Sequence, residues 1–439
     1  MFPYVAVFLF WSVIYWTIYF SCLFFVINIK TIGFNFKFFY KKIPQNKIIL
    51  LLILLIPAIL VLGIYLLPNT PLVDERNYYP LVQFFKLNPF LYPDSIKMAT
   101  IPGHAYIVFL LSQIVQLSDL FSIRVISASF SFVAIIFAYL LSEENIKKTT
   151  LIFLLPIGFP FFFLLYTDIP ALASVLVFAY CMLKGKHILT PLIALISLLL
   201  RQDTIFWVFL FSLYYFSIDK KVNRKNIIKM LIKYFSPLIM ASIFLLTYTL
   251  INGGVGFSKE DRIYHPIGFF IDNILYFIFL HLIIFLPLHI RSCKKNINSI
   301  LTSKLKLLGF IIFLVSSILI FKGDHPFYSK AMEFFFRHSL IITIRDFFLI
   351  KITTFTVLSF FAVSILNIPL LKNFNKYFYP ITICILGSHW LVEPRYYIIP
   401  FSLFLIFMDH KILRNFDFIW ILFWTGFVAL GIWGNLYFP

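Results

Sequence analysis

Apolar runs recur along the whole chain, each closed by charged or turn residues. They lie at 3–27, 48–67, 124–141, 150–166, 170–183, 189–200, 204–218, 235–252, 267–290, 307–321, 352–368, 377–391, 397–408 and 417–435. A bilayer-crossing helix needs roughly 20 mostly apolar residues, so the pattern predicts an all-α polytopic membrane protein with about 12–14 transmembrane helices. Several runs are short and extend into their flanks. The first 30 residues lack a basic leader and a small-residue cleavage site, and read as a span.

The polar segments between the runs set the orientation. Lys and Arg cluster at 28–47, 219–233 and 291–306, with smaller groups at 142–149, 184–187, 372–376 and 409–414. Short basic loops stay cytoplasmic. All seven fall on one side only if 104–118 does not cross, so that run is read as a surface helix. The organisation is then 1–67, N-terminal spans with a basic cytoplasmic loop; 68–123, a first large lumenal or periplasmic loop; and 124–439, the remaining bundle.

Composition agrees with this reading. Hydrophobic residues make up 61% of the 439 and charged residues 13%, with a mean hydropathy of +0.95. A soluble domain has about 45–50% apolar and about 25% charged residues, so the water-soluble class is excluded. The net charge of +19 would suggest nucleic acid in a soluble protein. Here the excess lies wholly in the basic cytoplasmic segments, which makes it an orientation signal. Cys22, Cys181, Cys293 and Cys384 are scattered, with no metal-binding spacing.

The opposite face carries the candidate chemistry. Asp74-Glu75 follows a Pro-rich break and could supply a general base. Thr100, Pro102 and Gly103 mark the edge of the next apolar helix. Tyr166-Thr167-Asp168 forms a turn, and Arg201-Gln202-Asp203 stands between two apolar runs with almost no loop. A guanidinium at such a depth is costly unless paired or facing a polar cavity. Arg201 has Asp203 as its local partner, and Arg395 of Glu393-Pro394-Arg395-Tyr396 has Glu393. Either Arg also has the planar fork that clamps a phosphate. Asp261-Arg262 with His265, and Asp324-His325, are weaker candidates. His104, His265, His325 and His338 lack HExxH spacing, so a zinc site is not expected. No nucleotide-binding loop or nucleophile elbow occurs.

In order, these motifs resemble the α-1,2-glucosyltransferases that use dolichyl-phosphate-glucose. The acidic pair Asp74-Glu75, Gln83 and Ala99-Thr100-Ile101-Pro102-Gly103 resemble that family's first lumenal loop. Leu165-Tyr166-Thr167-Asp168 is similar to its YTD, and Leu200-Arg201-Gln202-Asp203-Thr204 to its RQTN segment. Asn252-Gly253-Gly254 … Asp261-Arg262 … His265 and Leu391-Val392-Glu393-Pro394-Arg395-Tyr396 complete the set. Ala99 stands for a Thr and RQDT for RQTN, and Gly323–Tyr328 is the nearest match to a DNRHYTFY segment. One more apolar run precedes the acidic loop than the family pattern has.

The resemblance implies a GT-C-type bundle with its active site at the first lumenal or periplasmic loop. It implies transfer of a hexose, glucose in α-1,2 linkage, from a polyprenyl- or dolichyl-phosphate sugar to a lipid-linked oligosaccharide for N-glycosylation. Inversion would use Asp74 as base, with Glu75 in reserve. Arg201, Gln202, Arg262, His265, Arg395, Tyr396, Thr100, Gly103 and Asp168 are then the substrate- and phosphate-binding candidates. No particular cofactor is implied, and a divalent ion is left open. Membrane lipids and the two lipid-linked substrates are the expected partners, not nucleic acid. The membrane is that of the endoplasmic reticulum in a eukaryote and the plasma membrane in a bacterium. The rival classes are a polytopic lipid or solute transporter or flippase, for which a repeat would be expected and none is seen, and an inactive subunit of a membrane complex.

Overall fold

A computed structural model describes residues 47–89, 100–116, 119–219, 227–254, 266, 268–330 and 336–433. Among the described residues every regular element is a helix, with one isolated bridge between Leu370 and Met408. The expected N-terminal run 3–27, most of the basic segment 28–47 and the Asp261-Arg262 … His265 motif lie outside the described residues.

The chain divides into two compact units, residues 1–146 with 161–262, and residues 147–160 with 263–439. The first unit contains α1 (Lys47–Tyr65), α2 (Glu75–Leu87), α3 (Gly103–Val115) and α4 (Leu120–Leu141). After α5 (Ile146–Phe153), which opens the second unit, the first resumes with α6 (Asp168–Leu183), α7 (Thr190–Leu200), α8 (Thr204–Ile218) and α9 (Ile227–Asn252).

The centre of the first unit is the α4–α6 pair. Ser127, Ala128, Ser131, Ala134 and Ala138 form a buried small-residue stripe on α4, and Ala171, Ala173 and Ala179 of α6 are equally buried. Small side chains let helix backbones approach closely where lipid offers no hydrophobic drive. Ser131 Oγ also donates to Phe162 O at 2.9 Å. α4 has 22 residues, about 33 Å at 1.5 Å per residue, enough to cross a hydrocarbon core of about 30 Å. Its start is fixed by Asp119, whose carboxylate accepts from Ser122 N at 3.0 Å.

α9 shows which surface meets lipid. Ile228, Ile232, Ile239, Ile243, Leu246 and Leu250 recur at helical spacing and are all exposed, Leu250 at 74%. A continuous apolar stripe of this length marks a membrane face.

The 13-residue α3 spans about 20 Å, too short to cross. It does not lie free on a surface, because residues 103–109 are all buried where α3 packs on α2, α4 and α7. Gly103 is why α7 can come so near: a Cβ there would sit 2.3 Å from Leu199 O and 2.8 Å from its carbonyl carbon. Backbone cannot swing aside as a side chain can. Gly103→Ala is expected to destabilise the protein by about 1–3 kcal/mol, read as a lower melting temperature in detergent. An unchanged melt would show that α3 can withdraw freely.

The run 150–166 does not form one helix. α5 ends at Phe153, and only a 3₁₀ turn, Phe159–Phe162, follows. Pro156 and Pro160 remove amide donors and clash with a continuing helix, and hydropathy does not register either effect.

The second unit continues with α10 (Ile271–Ile284), α11 (Leu286–Thr302), α12 (Lys304–Ile320), α13 (Pro326–Lys330) and α14 (Phe336–Asp346). It ends with α15 (Phe348–Leu366), α16 (Asn375–Gly387), α17 (Ile398–Phe407) and α18 (Asn415–Trp433). α17 is buried along its whole length. Buried Lys148 of α5 donates to Ile406 O at 2.9 Å and to Met408 O, closing the carbonyl end of α17. α10 and α11 bend by 102° at Phe285, and His281 Nδ1 and His289 Nε2 meet at 2.9 Å across the bend. Arg291 then joins α11 to α18 through both Asp417 oxygens, at 2.8 and 2.7 Å.

By length and composition α4, α9, α15 and α18 can each cross a membrane, as can α10 with α11 as a bent pair. Shorter apolar helices accompany them. The protein is an all-helical polytopic membrane protein.

Candidate functional site

Within the first unit, the loop after α1 is held by one buried carboxylate. Glu75 is 0% exposed, and both its oxygens are engaged. Oε1 accepts from Arg124 Nε at 3.0 Å and Leu165 N at 2.8 Å. Oε2 accepts from Arg124 Nη2 at 2.5 Å and Leu72 N at 2.9 Å. Arg124 completes its fork on Pro68 O at 2.7 Å and Thr70 O at 3.1 Å. The acidic loop, the start of α4 and the irregular turn segment before Tyr166 are thereby tied to one ion pair. Sequence reading did not single out Arg124. The signal was there: an Arg one turn into a 22-residue apolar helix needs a partner.

Asp74 stands just outside this lock. It is half-buried, and its amide donates to Tyr166 Oη at 2.9 Å. Val73, immediately before it, has φ +44°, a rare region for a β-branched residue that costs about 1–3 kcal/mol when enforced. The turn that presents Asp74 is therefore imposed by its surroundings. Tyr166→Phe would leave that amide without its acceptor. We expect about 1–3 kcal/mol of lost stability in a chemical or thermal melt, with a smaller loss of activity than any change at Asp74.

The Thr100–Gly103, Tyr166–Asp168 and Arg201–Asp203 motifs of this unit converge on the same region. Tyr78 of α2 packs its ring on Tyr166 at 5.9 Å and edge-on to buried His104 at 6.0 Å. Its hydroxyl lies 3.3 Å from Thr100 Oγ1 and 3.5 Å from Thr167 Oγ1. Gln202 Oε1 accepts from Ile101 N at 3.3 Å, joining the RQD corner to the Thr100–Gly103 turn. Arg201 is buried and bound to two carboxylates: Nη1 to Asp168 Oδ1, and Nη2 to Asp203 Oδ2 at 2.9 Å. Both amino groups of the Arg201 guanidinium are thus already engaged by carboxylates.

Within the second unit, Arg395 Nε bonds Glu393 Oε2, and its guanidinium lies 5.7 Å from the Tyr396 ring centroid. Tyr396 stacks on His389 at 4.1 Å. The segment is framed by Asn273, which donates to His389 O at 2.6 Å and Leu391 O at 3.1 Å and accepts from Tyr397 Oη at 2.7 Å. Val392 N donates to Tyr328 Oη at 3.1 Å, and Trp390 Nε1 donates to Asp324 Oδ1 at 3.1 Å. The Gly323–Tyr328 and Leu391–Tyr396 motifs thus meet within this unit. Arg262 and His265 are outside the described residues. Among the described residues no group of three His, Cys, Asp or Glu is placed to hold a metal ion.

A family model described as the DIE2/ALG10 family matches residues 68–406, from just before the acidic loop to beyond Tyr396. No curated protein and no solved structure gives a match.

Proposed function

Because the chain belongs to the DIE2/ALG10 family, and so is a membrane glycosyltransferase acting on lipid-linked oligosaccharide, we propose that it adds an α-1,2-linked glucose taken from dolichyl-phosphate-glucose. Asp74 is the general base in this reading. It takes the proton of the acceptor hydroxyl as that oxygen attacks the anomeric carbon and the lipid phosphate leaves with inversion. The observation that carries the assignment is the contrast between adjacent carboxylates. Glu75 is sealed in a four-bond lock with Arg124 and two amides, whereas Asp74 is half-buried beside it at a strained turn. Glu75 is the strut and Asp74 the reactive group.

Arg201 serves the frame. With Asp168 and Asp203 already bound to it, it holds the ends of α6 and α7 rather than a leaving phosphate. In this reading the reaction takes place on the lumenal face of the endoplasmic reticulum in a eukaryotic cell, and on the outer face of the plasma membrane in a bacterium.

The deciding experiment compares lipid-linked glycans by mass spectrometry in cells with and without the gene. Purified protein is supplied in parallel with polyprenyl-phosphate-glucose and a lipid-linked acceptor. Loss of one terminal hexose in cells, and its transfer in vitro, is the expected result. Unchanged glycans together with substrate flux into liposomes would overturn the reading in favour of transport.

A further inference from the structure

The first unit also contains a cleft of about 370 Å³, lined by Asn69, Pro71, Tyr79, Asp119, Leu120 and Phe121. We propose that this cleft is a carbohydrate subsite that takes neutral sugar rings of the acceptor glycan. The inference rests on the transferase reading above and extends it to the acceptor.

Its position comes from the chain itself. Asn69 and Pro71 belong to the loop that leads into Asp74, and Tyr79 lies on α2 five residues beyond it. One wall is thus built from the same loop and helix that present the base. The other wall is the start of α4, where Asp119 caps the helix. Its carboxylate is fixed by Ser122, whose amide donates at 3.0 Å and whose hydroxyl donates at 2.5 Å. Those hydrogen bonds, the hydroxyl's first, hold the Asp119 carboxyl below the usual carboxylate range, so it is charged at neutral pH.

The lining selects among ligands. A carboxylate accepts hydrogen bonds from sugar hydroxyls, and the Asn69 amide both donates and accepts. Tyr79, Phe121 and Pro71 offer flat apolar faces for the C–H side of a pyranose, while the phenol supplies one more polar contact. None of the six lining residues is cationic, as the Arg or Lys of a phosphate site would be, and at the α4 N-terminus in the wall the Asp119 carboxylate already takes the Ser122 amide. The fixed negative charge of Asp119 repels a phosphate, which turns the donor headgroup away. The volume is at the lower end of the roughly 300–1,000 Å³ typical of ligand sites. That suits one or two sugar rings and is too small for a polyprenyl tail.

The test uses Tyr79→Ala, Asn69→Ala and Asp119→Asn in the full-length protein in nanodiscs. Asn caps a helix about as well as Asp, so the third variant removes charge while keeping the start of α4. Acceptor KM is expected to rise about tenfold in Tyr79→Ala and Asp119→Asn, the equivalent of about 1.4 kcal/mol. The polyprenyl-phosphate-glucose KM and kcat should stay within twofold of wild type, and melting temperatures should match. Saturation-transfer NMR with a lipid-free, glucose-terminated oligosaccharide provides a readout that needs no turnover. Its sugar-proton signals are expected with wild-type and Asp74→Asn protein and lost with Tyr79→Ala. Unchanged acceptor KM and glycan signals in all three variants would overturn the subsite. A rise in donor KM alone would also overturn it, by giving the cleft to the donor. Wild-type protein that binds the glycan but transfers nothing would overturn the transferase reading while leaving the subsite standing.

Discussion

Asp74→Asn is expected to lower kcat by about 10²–10⁴-fold, the usual contribution of a positioned general base, with both KM values and the melting temperature little changed. The substitution replaces one carboxylate oxygen by an amide and keeps the shape of the side chain. The Asp74 amide, which donates to Tyr166 Oη, is backbone and unaffected. The ion pair that fixes the loop belongs to Glu75 and Arg124, not to Asp74. What is lost is the group that can accept the proton of the attacking hydroxyl. Because that acceptance matters in the transition state and not in ground-state binding, the loss should fall on kcat. Asp74→Ala should be at least as severe. Initial-rate measurements with purified protein and a radiolabelled polyprenyl-phosphate sugar check both. Transfer at the wild-type rate by either variant would remove Asp74 from the chemistry.

Much of the fold was legible because hydropathy and helix length are local. The apolar run at 124–141 became α4, and the run at 235–252 became the greater part of α9. The break in 150–166 is invisible to hydropathy because Pro156 and Pro160 barely lower the mean of so apolar a window while forbidding the helix. Site pairing was legible only at short range. Asp203 and Glu393 were identifiable as partners of Arg201 and Arg395 because they lie two residues away. The Glu75–Arg124 pair joins positions 49 residues apart, and Arg201–Asp168 joins positions 33 apart. No spacing rule reaches so far, since both contacts depend on which helices pack together. Asp203, a departure from the RQTN pattern, turns out to be the second carboxylate on Arg201. Gly103 matched a family motif, but what requires a glycine there is the approach of Leu199 O, which only packing reveals.

Breaking the Glu75–Arg124 pair is expected to have the largest effect on stability, about 3–5 kcal/mol for either Glu75→Gln or Arg124→Met, because a buried partner is left uncompensated. Glu75→Gln is the sharper test. Each Glu75 oxygen accepts two hydrogen bonds, and a glutamine has one acceptor oxygen. Its NH₂ must therefore face two N–H donors, either Arg124 Nε with Leu165 N or Arg124 Nη2 with Leu72 N. A cycle of Glu75→Leu, Arg124→Met and their double variant tests the pair itself, since the double variant removes both charges. That variant should recover part of the loss, though not all, since the Leu72 and Leu165 amides and the Pro68 and Thr70 carbonyls stay unsatisfied. Activity should fall in each single variant as well, because a misplacement of about 1 Å can cost on the order of 10²-fold in rate. The signature of a strut is a fall in melting temperature and kcat together, whereas the signature of a base is a fall in kcat alone. If Glu75→Gln melted like wild type yet transferred no sugar, while Asp74→Asn remained active, the two carboxylates would exchange roles and Glu75 would be the base.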